Sequence, residues 1–221
     1  MTARIVPDGP AGWAAVVDVL RAGGVVALPT DTVYGICVSL ETHGGVERLF
    51  AVKRRPPDKG IILLLEDVTQ ASRVGVMTPA AAALAEACWP GGLTVVVPQR
   101  PDVPLPGALT AGTATIGLRV PDHATPRALA GRVGPLPTTS ANVSGLAEAR
   151  DAGEILHQLG DAIDLILDGG PAHGGPASTV VDCSGAMPRI LRVGAVSLQG
   201  IRAILDSAGL AHEIAAGPYA D

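Results

Sequence analysis

Lysine occurs twice in this sequence, at Lys53 and Lys59, and every other basic side chain among the 16 is arginine. Lys53-Arg54-Arg55 together with Lys59 concentrates cationic groups in a chain whose formal net charge is -5. An ammonium binds phosphate as a point charge and a guanidinium binds it as a bidentate fork, so the cluster suits a polyanion such as a nucleotide triphosphate. A basic helix end that complements the dipole and the last carbonyls would look the same, and the pattern alone leaves both readings open.

A second polar segment, Thr138-Thr139-Ser140-Ala141-Asn142-Val143-Ser144-Gly145, offers hydroxyls, a carboxamide and backbone donors that could hold phosphate oxygens or orient a small substrate. The same residue types also build ordinary turns and helix caps. Familiar nucleotide signatures are absent from the sequence. Neither lysine follows a glycine, as a P-loop requires, and no G-x-G triplet occurs for a dinucleotide-binding turn. No G-x-S-x-G elbow surrounds Ser140 or Ser144, which argues against a serine hydrolase. His43, His123, His157, His173 and His212 show no metalloprotease spacing and read as ordinary residues. Cys37, Cys88 and Cys183 are odd in number and form no C-x-x-C pair, so they read as buried free thiols.

Composition narrows the classes further. With 221 residues, 48% of them apolar, the chain can bury the core of one domain. Aromatic residues make up only 2%, too few for the stacking platforms of many single-strand nucleic-acid binders. The mean hydropathy of +0.37 could signal a membrane protein. The apolar runs at 25–28, 61–65 and 93–97 are far too short to span one. Asp8, two early prolines and Asp18 occupy the region where a signal peptide would need an apolar stretch, so a cytoplasmic location is expected.

The elements that must position these groups alternate along the chain. Trp13, Val16, Val17 and Leu20 have helical spacing that ends at Gly23-Gly24. Residues 25–28 read as a strand, Pro29-Thr30-Asp31-Thr32 as a turn, and 33–39 as a second strand whose short link requires antiparallel pairing. Val46, Leu49, Phe50 and Lys53 predict a helix that Pro56-Pro57 ends. Strands are predicted at 61–65, 93–97, 115–120, 165–167, 179–182 and 190–192. Helices are predicted after Thr78-Pro79 and from Thr125-Pro126, with a last one through Val196, Ile201 and Leu205. Residues 98–106 read as a surface excursion, 138–145 as a loop, and Gly169–Gly175 as an irregular glycine-rich loop that could form a lid. The result is an α/β domain with a mixed sheet at 1–208 and a frayed tail at 209–221.

Taken in order, Pro29-Thr30-Asp31-Thr32-Val33-Tyr34-Gly35, Lys53-x-Arg55-Pro56 with Lys59, Trp89-Pro90-Gly91, Thr115-Ile116-x-Leu118-Arg119, Thr139 to Gly145, Ser178-Thr179-Val180 and Leu191-Arg192-x-Gly194 resemble the YrdC/TsaC family. The resemblance implies a twisted mixed parallel/antiparallel sheet flanked by helices around a concave, positively charged cavity. It implies synthesis of threonylcarbamoyl-AMP and pyrophosphate from L-threonine, bicarbonate or CO2, and ATP with Mg2+, a nucleotidyl transfer. Partner proteins would then pass the threonylcarbamoyl group to adenosine 37 of tRNA, so tRNA is an indirect partner. By similarity Lys53, Arg55 and Lys59 would hold the phosphates, with Lys53 and Arg55 catalytic. Ser140 and Asn142 would bind the phosphate region, with Arg192 also on the nucleotide and Thr115 on the ATP side. Thr32, Arg119, Thr138 and Thr179 would surround the threonine, with Arg119 taking its carboxylate. Mg2+ would enter through the phosphates and water, since no carboxylate cage is visible in the sequence.

The match has departures. Leu64 stands where some members carry a histidine and Glu148 lies near a serine of others, so neither contact is carried over. Longer members have a second C-terminal domain that closes over the site, and the chain is expected to lack it. Two rivals remain: an RNA-binding module of the same fold, opposed by the net charge of -5, and a carbamoyl-adenylate-forming transferase, opposed by the lack of a cysteine-rich segment.

Overall fold

The computed structural model describes residues 2–54, 60–172, 175–212 and 214. Its strands are β1 (Arg4–Pro7), β2 (Val26–Leu28), β3 (Gly35–Cys37), β4 (Ile62–Leu64), β5 (Leu93–Pro98), β6 (Thr115–Arg119), β7 (Leu136–Ser140), β8 (Leu165–Asp168), β9 (Thr179–Asp182) and β10 (Arg189–Arg192). Its helices are α1 (Pro10–Arg21), α2 (Gly45–Lys53), α3 (Val68–Val74), α4 (Pro79–Cys88), α5 (Ala124–Val133), α6 (Ala152–Leu159) and α7 (Leu198–Ser207). The strands form one sheet in the order β1-β8-β2-β3-β7-β4-β6-β5-β9-β10.

The sheet is mixed. β8 is parallel to both β1 and β2, β4 is parallel to β6, and β5 is parallel to β9. The remaining neighbours pair antiparallel, including β2 with β3, where Leu28 lies opposite Gly35. The short hydroxyl-rich turn after Leu28 thus reverses the chain as its length demands.

Alternation along the strands builds two cores. Val26 and Leu28 join Val16, Val17 and Leu20 of α1 and Leu129, Ala130 and Val133 of α5 on one face. Ala27 and Ile36 point into the larger core on the other face, with Leu84 of α4 and Leu205 of α7. The tail beyond Gly209 continues onto this second core through Leu210 and Ile214, and its other residues from 213 lie outside the described part. Among the described residues no helix is long and apolar enough to cross a membrane.

Several expectations need correction. The segment from Thr138 is not a loop at its start, because Thr138, Thr139 and Ser140 belong to β7, a central strand. Threonine is β-branched and fits a strand, and here Thr138 and Ser140, two residues apart on one face, line a cavity. The fifth helix begins at Ala124, with the His123 ring nitrogen accepting from the Thr125 N–H, so His123 is a helix cap. β1, α3 and α6 were not predicted. Within 98–106 Pro98 is in β5 and Val103 and Leu105 pack on the core, while Arg100 and Asp102 pair at the surface. Cys37 and Cys183 are buried and their thiols are pushed up to about 12 by burial, but Cys88 is only half-buried. α2 ends at Lys53, the following Arg54 is in a left-handed conformation, and Pro56-Pro57 lie outside the described residues.

Candidate active site

A cavity of about 460 Å³ opens on the sheet where the β2–β3 turn, β4, β6, β7 and the ends of β9 and β10 converge. Residues 109–115, after the surface excursion, form one wall, and Ile61 is tied to it by its N–H donating to the Leu109 carbonyl. Residues with hydroxyls dominate its polar lining, among them Thr30, Thr32, Thr110, Thr113, Thr115, Thr138, Ser140 and Ser178. Its charged lining residues among those described are Arg119, Arg192 and Glu148.

Arg119 ends β6 with only 4% of its surface exposed. Its Nε donates to the Gly91 carbonyl at 3.0 Å, Nη1 to Thr32 Oγ1 at 3.0 Å and Nη2 to Asp31 Oδ1 at 2.7 Å. Burial pulls the guanidinium below its usual range, while the charge of Asp31 and its hydrogen bond act upward. The turn that presents Asp31 is shaped by Thr30, whose hydroxyl donates to the Val33 carbonyl and accepts from the Thr32 N–H. The β2–β3 turn therefore holds a buried cation at the cavity wall.

Lys53 is buried behind Ser140. Its ammonium donates to the Ser140 carbonyl at 2.7 Å, Ser140 Oγ at 2.9 Å and Asn142 Oδ1 at 2.8 Å. Ser140 Oγ donates to Asn142 Oδ1, and the Ser144 N–H donates to the Lys53 carbonyl. The end of α2 is thereby stitched to the strand end and loop that carry Ser140 and Asn142. Three residues assigned together from the resemblance meet here although Lys53 and Asn142 are 89 positions apart. Ser140 lines the cavity, with Lys53 and Asn142 in direct contact behind it.

Arg192 sits at the end of β10, where Nε and Nη2 donate to the Ser178 carbonyl and Nη2 also to Ser178 Oγ. Ser178 Oγ in turn shares a hydrogen bond with buried Thr94. Burial lowers Arg192 below its usual range and repulsion from Arg119 adds to this, while Glu148 acts in the opposite direction. Arg119 and Arg192 thus stand on one cavity close enough to feel each other's charge.

Thr32, Thr115, Arg119, Thr138, Ser140 and Arg192 all line the cavity. Thr179 does not. Its hydroxyl is fully buried, donates to the Val196 carbonyl and accepts from the N–H groups of Gly194 and Val196, which makes it a brace between β9 and the chain after β10. Arg55 and Lys59 lie outside the described residues.

Sequence reasoning gave no site role to Asp31, Tyr34 or Ser178, although each stands inside a quoted motif. Tyr34 lines the cavity, and its hydroxyl donates to the Gly170 carbonyl at 2.6 Å and accepts from the Gly169 N–H. Leu64 and Glu148, the two departures, both line the cavity as well. The described residues contain no cluster of three or more His, Cys, Asp or Glu able to hold a metal.

Comparison with known proteins identifies the family. The Sua5/YciO/YrdC family model, described as telomere recombination, matches residues 18–194. A threonylcarbamoyl-AMP synthase of Bacillus subtilis is 36% identical over 188 residues, covering 84% of this chain and 54% of the relative. A putative threonylcarbamoyl-AMP synthase of Mycobacterium tuberculosis is 38% identical over 202 residues, covering 90% of this chain and 92% of the relative. The chain thus spans about half of the first protein and nearly all of the second. The crystal structure of Pyrococcus abyssi Sua5 complexed with L-threonine superposes with a TM-score of 0.85 at 28% identity, covering 100% of this chain and 68% of that one. With a family match over most of its length and a cavity built from the matched segments, the chain belongs to the Sua5/YciO/YrdC family.

Proposed function

We propose that this chain is a threonylcarbamoyl-AMP synthase, a nucleotidyltransferase that acts in the cytoplasm on L-threonine, bicarbonate or CO2, and ATP. The observation that carries the reading is the cavity with buried Arg119 and with Arg192 on its lining, in a chain whose relatives carry that name. A substrate carboxylate suits Arg119, beside the hydroxyls of Thr32 and Thr138. The nucleotide phosphates suit Ser140 and the Arg192 end.

The chemistry is one of positioning. The threonine amine forms a carbamate with CO2, with loss of a proton, or with bicarbonate, with loss of water in its place. A carbamate oxygen then forms a bond to the α-phosphorus of ATP as the bond to the bridging oxygen breaks and pyrophosphate leaves. Charge develops on oxygen throughout, so fixed cations and N–H or O–H donors lower the barrier without covalent participation. Lys53 holds Ser140 and Asn142 in place, and by the family resemblance Lys53, Arg55 and Lys59 are assigned to the phosphates. Mg2+ would neutralise the phosphates, and the neutral hydroxyls with Glu148, the one carboxylate among the described lining residues, fit an ion held by ATP and water better than one caged by protein. The product would pass to proteins that transfer the threonylcarbamoyl group to tRNA.

Pyrophosphate release by the purified protein tests the reading. Release is expected only when ATP, threonine and bicarbonate are all present. Equal release with serine, or without any amino acid, would refute it.

A further inference from the structure

We propose that Asp31 is the positioning residue of the amino-acid subsite, fixing the Arg119 guanidinium in the orientation that receives the substrate carboxylate. The inference rests on the function proposed above and names how its specificity is built. Arg119 has five N–H donors, and Asp31, Thr32 and the Gly91 carbonyl take one from each of its three nitrogens. Each terminal nitrogen keeps a second N–H, and Arg119 lines the cavity. A planar fork pinned at all three nitrogens cannot rotate, so its remaining donors keep one direction. A flexible guanidinium would have to be ordered when the ligand arrives.

Asp31 itself does not line the cavity, and its side chain is 15% exposed against 5% for that of Arg119. It therefore acts through Arg119 and not on a ligand. Its charge has a second effect, since a buried guanidinium loses hydration and a neighbouring carboxylate offsets that loss before any substrate binds. Thr32 and the Gly91 carbonyl are neutral and supply direction without charge. Among the described partners of Arg119, only Asp31 gives both.

Calorimetric titration with L-threonine and with L-threoninamide, which lacks the carboxylate charge, separates positioning from general support of the fold. The wild type is expected to bind threonine at least about tenfold more tightly than threoninamide. Asp31→Asn keeps an acceptor oxygen and deletes the charge. It is expected to weaken threonine about tenfold or more, to leave threoninamide nearly unchanged, and so to close the gap between them, with ATP affinity within about threefold. Asp31→Glu keeps the charge and displaces it by one methylene, so it serves if the asparagine variant does not fold, and the same narrowing is expected. Equal weakening of threonine and threoninamide would reduce Asp31 to a fold-stabilising residue and overturn the proposal. Unchanged or tighter threonine binding in the variants would overturn it too, by showing that Asp31 competes with the substrate. Failure of the wild type to bind threonine would overturn the functional reading and this inference with it, an outcome distinct from both.

Discussion

Lys53 is a buried cation that donates to Asn142 and to two oxygens of Ser140. Replacing it by methionine keeps the bulk and removes the donors, which leaves Ser140 and Asn142 without the group that aligns them. Lys53→Met is expected to lower kcat/KM for ATP by about thirtyfold or more, equivalent to about 2 kcal/mol of transition-state stabilisation. Unchanged kinetics would leave Lys53 a helix-end charge with no part in the site. Thr179 allows the opposite kind of test. Thr179→Val strands two N–H donors and a carbonyl, for an expected loss of about 2 kcal/mol or more of stability in denaturant melts. Thr179→Ser retains the hydroxyl and should keep both stability and turnover. If the serine variant folded normally but bound threonine poorly, Thr179 would be a substrate contact after all. The difference between these two residues was not legible in the sequence, where both stood in matched motifs. Whether a hydroxyl faces a ligand or braces a backbone depends on what the next strand places beside it.

At the scale of elements, the β9–β10 hairpin carries Ser178 and Arg192 to the cavity and is pinned by Asp182. Its Oδ1 accepts from the N–H and hydroxyl of Ser184, and its Oδ2 accepts from Arg189 at 2.6 Å. Burial pushes the Asp182 carboxyl upward, but the hydrogen bonds from Ser184 and Arg189 outweigh it and hold the carboxyl below the usual value of 3.8. A depressed folded-state value means that the stabilisation is complete above the unfolded value and is lost as pH falls through the folded one. Asp182→Asn is therefore expected to lower Tm at neutral pH, with the gap to wild type closing below about pH 4. A gap that persisted unchanged at pH 2 would contradict this role. Elements with their own local signals were legible, such as α4 behind Thr78-Pro79 and β2–β3 around their short turn. The end of β7 was not, because Thr138 and Ser140 share the face that lines the cavity and the polar run offers no apolar alternation. α6 did carry a signal, since Asp151 accepts from the Glu154 N–H and Glu154 reaches back to the Arg150 N–H in a variant of the capping box.

Over the whole molecule, one ten-stranded sheet brings together groups that the chain keeps far apart, such as Asp31 with Arg119 and Lys53 with Ser140. Those pairings follow from strand order, which periodicity does not encode, so composition and spacing reached the fold class and the basic cluster but not the site. The ordered series of motifs supplied the rest, through resemblance and not through physics. The identity of the product is therefore decisive. Incubating the purified chain with ATP, Mg2+, L-threonine and carbon-13 bicarbonate, followed by mass spectrometry, should yield threonylcarbamoyl-AMP bearing the label. Turnover of ATP without that labelled adenylate would contradict the central claim.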